Sequence, residues 1–268
     1  RSESTEDDIG LFPARAMAAA LDNEQLPEKG DALPTFWEWL YFLATPRASA
    51  TGADGHRHKG GFLPPVPLPR RMWAAGQAKL ESPLIIGASA KRVSRITSVD
   101  LKEGGSGLLV FVAVEHDIYQ QGKRCISQQQ DIVYREEPSP DAPLPPKKST
   151  PENPDWLKTI TPDPVLLFRY SALTYNGHRI HFDRTYATQQ EYYPALVVHG
   201  PLLVTLLFEL QRQQAPELKV KNFRFRAVRP TFDSNAFQVQ GKVSGNQLVL
   251  WSVDKDNALC MKVDAGLA

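Results

Sequence analysis

The run Pro201-Leu202-Leu203-Val204-Thr205-Leu206-Leu207-Phe208-Glu209-Leu210 is apolar on nearly every face. A helix of this kind has no polar stripe to offer water, so it must be enclosed, and a curved sheet is the element that suits it. Strand-like segments follow directly. Val220–Arg229, Ala236–Val243, Gln247–Val253 and Leu259–Ala265 alternate or run apolar and are joined by short turns, which predicts an antiparallel meander.

The first half repeats this order of helix and then strands. Ala14–Leu21 reads as a short helix and Phe36–Leu43 as an aromatic-rich one, followed by a Gly- and His-containing loop from Arg47 to Pro65. Loops of that length often serve as lids or binding walls. From about Ala78 to Tyr134 the pattern turns to β. Leu84-Ile85-Ile86, Lys91–Thr97, Gly107–Asp117 and Arg124–Tyr134 are strand-like, with turn signals at Lys102-Glu103-Gly104-Gly105 and Gln121-Gly122. From Glu136 to about Asp155 the chain is too rich in proline and polar residues for a helix or an inner strand. The expected division is therefore 1–136, a proline-rich linker over 137–155, and 156–268. Two long central helices, each wrapped by an antiparallel sheet, make an α+β fold of the arrangement called a double hot-dog.

The size and composition are compatible with this. A chain of 268 residues with 42% hydrophobic content can bury a substantial core, as one large domain or as two of about 100–150 residues each. The formal net charge of +1 argues against nucleic acid and against an anionic membrane surface as partners. Cys125 and Cys260 lie far apart with no CxxC pattern, which argues against a disulfide scaffold and a structural zinc site and fits a reducing, cytoplasmic compartment. No stretch approaches the ~20 apolar residues of a membrane span. The chain begins with Arg1 rather than Met, which leaves room for a removed leader or tag.

The chemistry-bearing residues cluster just ahead of the apolar helix. Tyr170-Ser171-Ala172-Leu173-Thr174-Tyr175-Asn176-Gly177-His178-Arg179-Ile180-His181 is followed by His199-Gly200-Pro201. Asn176 and His181 are five apart in a segment holding Gly177, so a turn can bring both side chains to one water. An imidazole titrating near neutrality can take a proton from that water and return it, while the amide, which cannot titrate, orients it. The free N–H groups at the start of the following helix can meet an oxyanion. The plainer reading of His178 or His181 is a loop histidine that is simply hydrogen-bonded. A metal site on His178, His181 and His199 ranks low, because no carboxylate at HExxH spacing accompanies them. Asp183 suits the N-cap of a helix beginning near Arg184.

The segment resembles the active-site motif of the MaoC-like, R-specific enoyl-CoA hydratases and 3-hydroxyacyl-thioester dehydratases, approximately Ser-Gly-Asp-x-Asn-Pro-x-His with a later His-Gly. Thr174 to His181 occupy those places in turn, and His199-Gly200 supplies the later pair. On that resemblance His181 falls on the catalytic His, Asn176 on the catalytic Asp, and Gly200 on the glycine whose N–H polarises the thioester carbonyl. The Asp-to-Asn departure removes a base and leaves His181 to carry proton transfer in both directions. Asn176 to Asp183, with Tyr193-Pro194-Ala195-Leu196-Val197-Val198-His199-Gly200-Pro201-Leu202-Leu203, looks more like the type 2 hydroxyacyl-thioester dehydratases and the mesaconyl-C4-CoA and itaconyl-CoA hydratases. Phe36 to Phe42, Leu68 to Ala74 and Asp131 to Arg135 extend the similarity into the first half.

The first half has no comparable Asn/Asp-to-His spacing, so one active site per chain is expected, with that half forming the wall of the acyl pocket. Arg70 and Arg71, beside Trp73, are the candidates there for an anionic group, because a guanidinium grips a carboxylate or phosphate with two parallel bonds; the alternative is a pair of surface arginines. Tyr175 and His199 complete the candidate substrate-binding set. His56-Arg57-His58-Lys59 reads as a solvated loop tip rather than a contact for CoA phosphates.

The resemblance implies a hydro-lyase that adds water across an enoyl-CoA, on a C5 dicarboxylic substrate such as itaconyl-CoA or mesaconyl-C4-CoA. It implies no cofactor beyond the CoA of the substrate, no metal, and a homodimer. Two other readings stand beside it: a 3-hydroxyacyl-thioester dehydratase of fatty-acid synthesis, and a non-catalytic acyl-CoA-binding hot-dog protein.

Overall fold

The protein is described here by a computed structural model covering residues 1–104, 107–137, 143–151 and 153–268. Its first half holds β1 (Ser2–Asp8), α1 (Leu11–Ala20), β2 (Arg70–Leu80), β3 (Ser89–Gly104), β4 (Gly107–Gln120) and β5 (Lys123–Arg135). Its second half holds β6 (Trp156–Ile160), α2 (Pro164–Leu173), α3 (Arg184–Gln189), α4 (Gly200–Gln214), β7 (Val220–Ala227), β8 (Phe237–Ser244), β9 (Gln247–Val253) and β10 (Leu259–Leu267). All the strands join one antiparallel sheet in the order β1-β3-β4-β5-β2-β7-β10-β9-β8-β6. The two halves of the sheet join at one seam, where Ala75 to Lys79 of β2 pair with Arg226 to Asn222 of β7. The architecture is the α+β hot-dog expected.

The apolar run folds as α4, with a proline in its first turn, where the missing N–H costs nothing. Every residue from Leu202 to Gln211 is buried, and the helix packs on β6, β8, β9 and β10. Glu209 can be buried there because its carboxylate accepts from Arg212 at 2.7 Å and Gln213 at 2.8 Å.

Several elements differ from expectation: Leu84-Ile85-Ile86, expected as a strand, makes only an isolated bridge of Ile85 with Ala32, and β2 begins at Arg70, ahead of the expected β onset near Ala78. The helix expected over Phe36–Leu43 is only a 3-10 turn at Trp37–Leu40, flanked by left-handed backbone at Phe36 (φ 72°) and Phe42 (φ 56°). Tertiary packing decides this: the Phe36 ring sits among Trp39, Trp73, Phe208, Phe223 and Phe225, at centroid distances of 5.1–6.3 Å. The first half's helix is therefore the ten-residue α1, shorter than α4. The expected meander holds for β8, β9 and β10, whereas β7 lies on the far side of β10 to form the seam. Finally, the acidic opening segment, for which no element was expected, is edge strand β1 on β3. There Glu6 faces Lys91, an opposite-charge pair across the strands.

Within the expected 137–155 linker, residues 138–142 and 152 lie outside the described residues, as does Gly105 of the expected turn; the described remainder carries no helix or strand. No helix among the described residues is long and apolar enough to cross a membrane.

Candidate active site

The motif segment hangs between two helices. α2 is capped by Asp163, whose carboxylate accepts from the Val165 and Leu166 N–H groups. This helix includes Tyr170 to Leu173, so the segment read as a loop starts as helix. Tyr175 then turns the chain with φ 49°, and Asn176 closes the turn: its N–H donates to the Ser171 carbonyl at 2.8 Å and its Oδ1 accepts from the His178 N–H at 3.0 Å. A single 3-10 turn, Arg179–His181, leads to Asp183, which caps α3 by accepting from the Tyr186 N–H at 2.9 Å.

His181 is 7% exposed, and its Nδ1 lies 2.7 Å from the Val197 carbonyl oxygen. A carbonyl only accepts, so Nδ1 carries the proton and Nε2 presents a lone pair. Burial, reinforced by His178, pushes its pKa down to about 3, which keeps the ring neutral. Its face lies on the ring of His199, with centroids 3.6 Å apart. His199 is itself fixed by Ser171 Oγ at 2.8 Å from Nε2. Gly200 opens α4 with no side-chain cap, leaving the helix start unspent on its own side chains. A Cβ at Gly200 would sit 3.2 Å from Cε3 of Trp73, so a larger residue would press on that ring.

A cavity of about 860 Å³ lies beside this segment, between the first half's strands and loops and the second half's α2 and motif segment. Tyr175, Asn176 and Pro201 line one part of it, and Arg71, Arg92, His116 and Gln128 another. The last three belong to one polar tile on neighbouring strands. Ser94, His116 and Gln128 are directly paired across β3, β4 and β5, with His116 Nδ1 2.8 Å from Ser94 Oγ, and Arg92 one step along the same face. The tile is not self-sufficient: Gln128 Nε2 and Arg92 Nε are buried without a hydrogen-bond partner.

The expected site residues thus fall into two groups. Asn176, Tyr175 and Arg71 line the cavity, while His181, His199, Gly200, Trp73 and Arg70 are not among its lining residues. Arg70 is a correction, because its guanidinium is committed to Glu191 at 2.6 Å and so is not free for an anionic ligand. His199 likewise serves His181 and Ser171 rather than the cavity surface. The tip at 56–59 is only in part the solvated loop expected. His58 and Lys59 are exposed, but His56 folds inward onto the His178 ring at 4.0 Å and lines the cavity. Asp54, His56 and His178 bring one donor atom each within 4.8 Å of one another, and Asp54 Oδ2 lies 2.9 Å from His56 Nδ1 in a hydrogen bond.

Sequence reasoning missed Arg92, His116, Gln128 and Glu38. The first three have polar chain neighbours, with His116 between Glu115 and Asp117 and Gln128 between Ser127 and Gln129, so no apolar–polar alternation marks which face meets a cavity. Glu38 lies in the 3-10 turn on the cavity wall, and burial raises its carboxyl to about 7.

A hot-dog sheet around a buried helix, with an Asn/His motif ahead of the helix start, defines the MaoC-like class of hydratases and dehydratases. The model of the family Htd2, hydroxyacyl-thioester dehydratase type 2, matches residues 36–233, and the chain belongs to that family, whose relatives are enzymes of the hydro-lyase type. It is 43% identical over 271 residues to the mesaconyl-C(4)-CoA hydratase of Chloroflexus aurantiacus, covering 100% of this chain and 95% of that protein. It is 31% identical over 242 residues to the mitochondrial hydroxyacyl-thioester dehydratase type 2 of Schizosaccharomyces pombe, covering 80% of this chain and 78% of the relative. Among solved structures, the MaoC-like dehydratase from Phytophthora capsici shares the fold with a TM-score of 0.70 at 12% identity, over 100% of this chain and 94% of the other.

Proposed function

We propose that the protein is an acyl-CoA hydratase whose substrate is a C5 dicarboxylic enoyl-CoA, mesaconyl-C4-CoA or itaconyl-CoA, interconverted with the matching hydroxyacyl-CoA. The observation that carries the substrate class is the tile of Arg92, His116 and Gln128, with two buried donors lacking partners. A buried donor without a partner costs about 1–3 kcal/mol, and a distal carboxylate in the cavity would satisfy both. A plain hydrocarbon chain would leave them unsatisfied. The 43% relative is itself named for a substrate of this class.

In mesaconyl-C4-CoA, whose double bond is conjugated with the thioester, water held by Asn176 and the Nε2 lone pair of His181 adds to the β-carbon, and its proton passes to an imidazole of the site. The electron pair of the double bond moves onto the thioester oxygen, where the Gly200 N–H and the dipole of α4 stabilise the enolate. No redox group or metal is required in this scheme, because the thioester itself acidifies the α-carbon. Residues 156–268 supply the motif and 1–136 the opposite wall. The buried, free Cys125 and Cys260 accord with a reducing cytoplasmic setting, and a homodimer is the assembly the family suggests.

The test is hydration of a panel of crotonyl-, long-chain, mesaconyl-C4- and itaconyl-CoA by wild type and His181→Ala. Turnover that prefers the dicarboxylic members by about tenfold or more, and that is lost in the variant, supports the reading. Best turnover on a long simple chain would make the protein a fatty-acyl dehydratase, and CoA binding with no turnover would make it a binding protein.

A further inference from the structure

We propose that His56, positioned by Asp54, is a catalytic acid–base group of this site, so that the first half supplies the ionisable partner that Asn176 cannot. This rests on the hydratase reading above. The loop bearing the pair is built and docked. It is closed by the Thr51–Arg57 bridge and by the Gly52 N–H on the His56 carbonyl at 2.7 Å. It is fastened to the motif by the Arg179 N–H on the Asp54 carbonyl at 2.9 Å and by Arg179 Nη1 on the Ala53 carbonyl at 3.1 Å. At the contact the backbones of Gly55 and Gly177 approach so closely that a Cβ on Gly55 would overlap the Gly177 carbonyl, while one on Gly177 would lie 2.8 Å from the Gly55 oxygen. Gly55 also has φ +86°, a conformation that favours glycine.

This docking sets the His56 ring on that of His178, on the cavity wall that Asn176 also lines. Asp54 Oδ2 accepts from His56 Nδ1 at 2.9 Å, and Asp54 Oδ1 accepts from the His56 N–H at 2.9 Å. The carboxylate therefore fixes the tautomer, leaves the Nε2 lone pair free, and stands ready to stabilise an imidazolium, the arrangement by which an Asp makes a His an effective base. His181 has only a backbone carbonyl behind its Nδ1 and so lacks a carboxylate to stabilise its imidazolium.

The water donates one hydrogen bond to His181 Nε2 and the other to His56 Nε2. As its oxygen bonds to the β-carbon, the second proton moves to His56 and the π pair moves onto the thioester oxygen. The imidazolium, held by Asp54, then returns that proton to the α-carbon as the enolate collapses, so that enoyl thioester plus water gives hydroxyacyl thioester and neutral His56. Asp54 acts through His56 and is a positioning residue.

The experiment compares wild type, His56→Gln, His56→Asn and Asp54→Asn on mesaconyl-C4-CoA and crotonyl-CoA, with circular dichroism to confirm folding. Both His56 variants should lose about 10²–10⁴-fold in kcat, the usual contribution of a positioned acid–base group, with KM changed by less than about threefold. Asp54→Asn keeps the shape of the pair but withdraws the charge that favours the imidazolium, so kcat should fall and the acid limb of the kcat/KM profile should move to lower pH. A purely structural Asp54 would leave that limb in place. Wild-type kcat in a folded His56 variant overturns the inference and leaves the hydratase reading standing. No wild-type turnover of any enoyl-CoA overturns both. Loss of activity to a chelator with recovery on added zinc would also overturn the acid–base role, by giving Asp54, His56 and His178 to a metal instead. If both His56 variants fail to fold, Asp54→Asn decides, since an unchanged kcat and profile there would sink the proposal.

Discussion

The rings of His181 and His199 lie face to face, with planes 18° apart and centroids separated by 3.6 Å. Each ring is fixed at its edge by a different element, His181 by the Val197 carbonyl and His199 by Ser171 at the end of α2. His199 thus holds the flank of the proposed catalytic ring without lining the cavity itself. Removing it should leave His181 room to tilt. His199→Ala is expected to cost about 2 kcal/mol in urea denaturation, from the lost packing and hydrogen bond. It should also lower kcat about 10–100-fold through misplacement of His181, with little change in KM.

Gly200 and Trp73 form a second coupled pair. Gly200→Ala brings a Cβ to 3.2 Å from the indole and should cost about 1–3 kcal/mol, as overpacking does. Trp73→Leu opens that space. A double-mutant cycle on stability should therefore show at least ~0.5 kcal/mol of favourable coupling, and strict additivity would contradict the contact.

Acid should destabilise the fold through its histidines. Burial pushes His181 and His116 down to about 3 and His56 to about 4, against an ordinary 6.5, and lowers His199 as well. These groups are neutral in the folded protein, while in the unfolded chain they bind protons below pH 6.5. Their contribution is fully present above pH 6.5 and is lost progressively as pH falls toward 3–4. Glu38 has the opposite sign. Its folded value of about 7 lies above the ordinary 4.5, so its contribution is present below pH 4.5 and lost as pH rises through 7. Urea midpoints measured from pH 4 to 9 should rise on leaving acid, and Glu38→Gln should gain stability over wild type at pH 8 more than at pH 5.

Gln128 offers a clean test of the polar tile. Its Nε2 is buried and has no partner, so Gln128→Leu removes an unsatisfied donor and should leave stability within about 1 kcal/mol of wild type, or improve it. If that donor holds the distal carboxylate, kcat/KM for mesaconyl-C4-CoA should fall about tenfold or more while that for crotonyl-CoA holds. Equal loss on both substrates would remove the tile from substrate recognition.

Much of this molecule is readable from its chain because one physical constraint dominates. The stripe-free apolar run 201–210 demanded enclosure, and four β segments followed it. Asp183 capping α3 was legible for the same reason, since its chemistry is local. What escaped was set by tertiary contact. Phe36 to Leu43 has helical composition, yet the packing of Phe36 against rings from both halves holds the backbone left-handed there. The strand β1 is polar because it is an edge, and edges carry little hydrophobic signal. Within the site, Asn176 and His181 share a short segment, so their meeting could be argued from spacing. His56 is 122 positions from His178 by residue number, and only the Gly55–Gly177 approach brings them together. The partner of Arg70 was equally remote, since Glu191 follows α3 in the other half.

The most direct test of the account is the ratio of kcat/KM for mesaconyl-C4-CoA to that for crotonyl-CoA, measured on the wild-type protein with the hydroxyacyl-CoA product identified. The account predicts hydration of both double bonds by the same site, with the dicarboxylic substrate preferred by about tenfold or more, the worth of one hydrogen bond to a charged group. A ratio at or below one, with turnover rising as the simple acyl chain lengthens, would contradict it and return the protein to fatty-acyl chemistry.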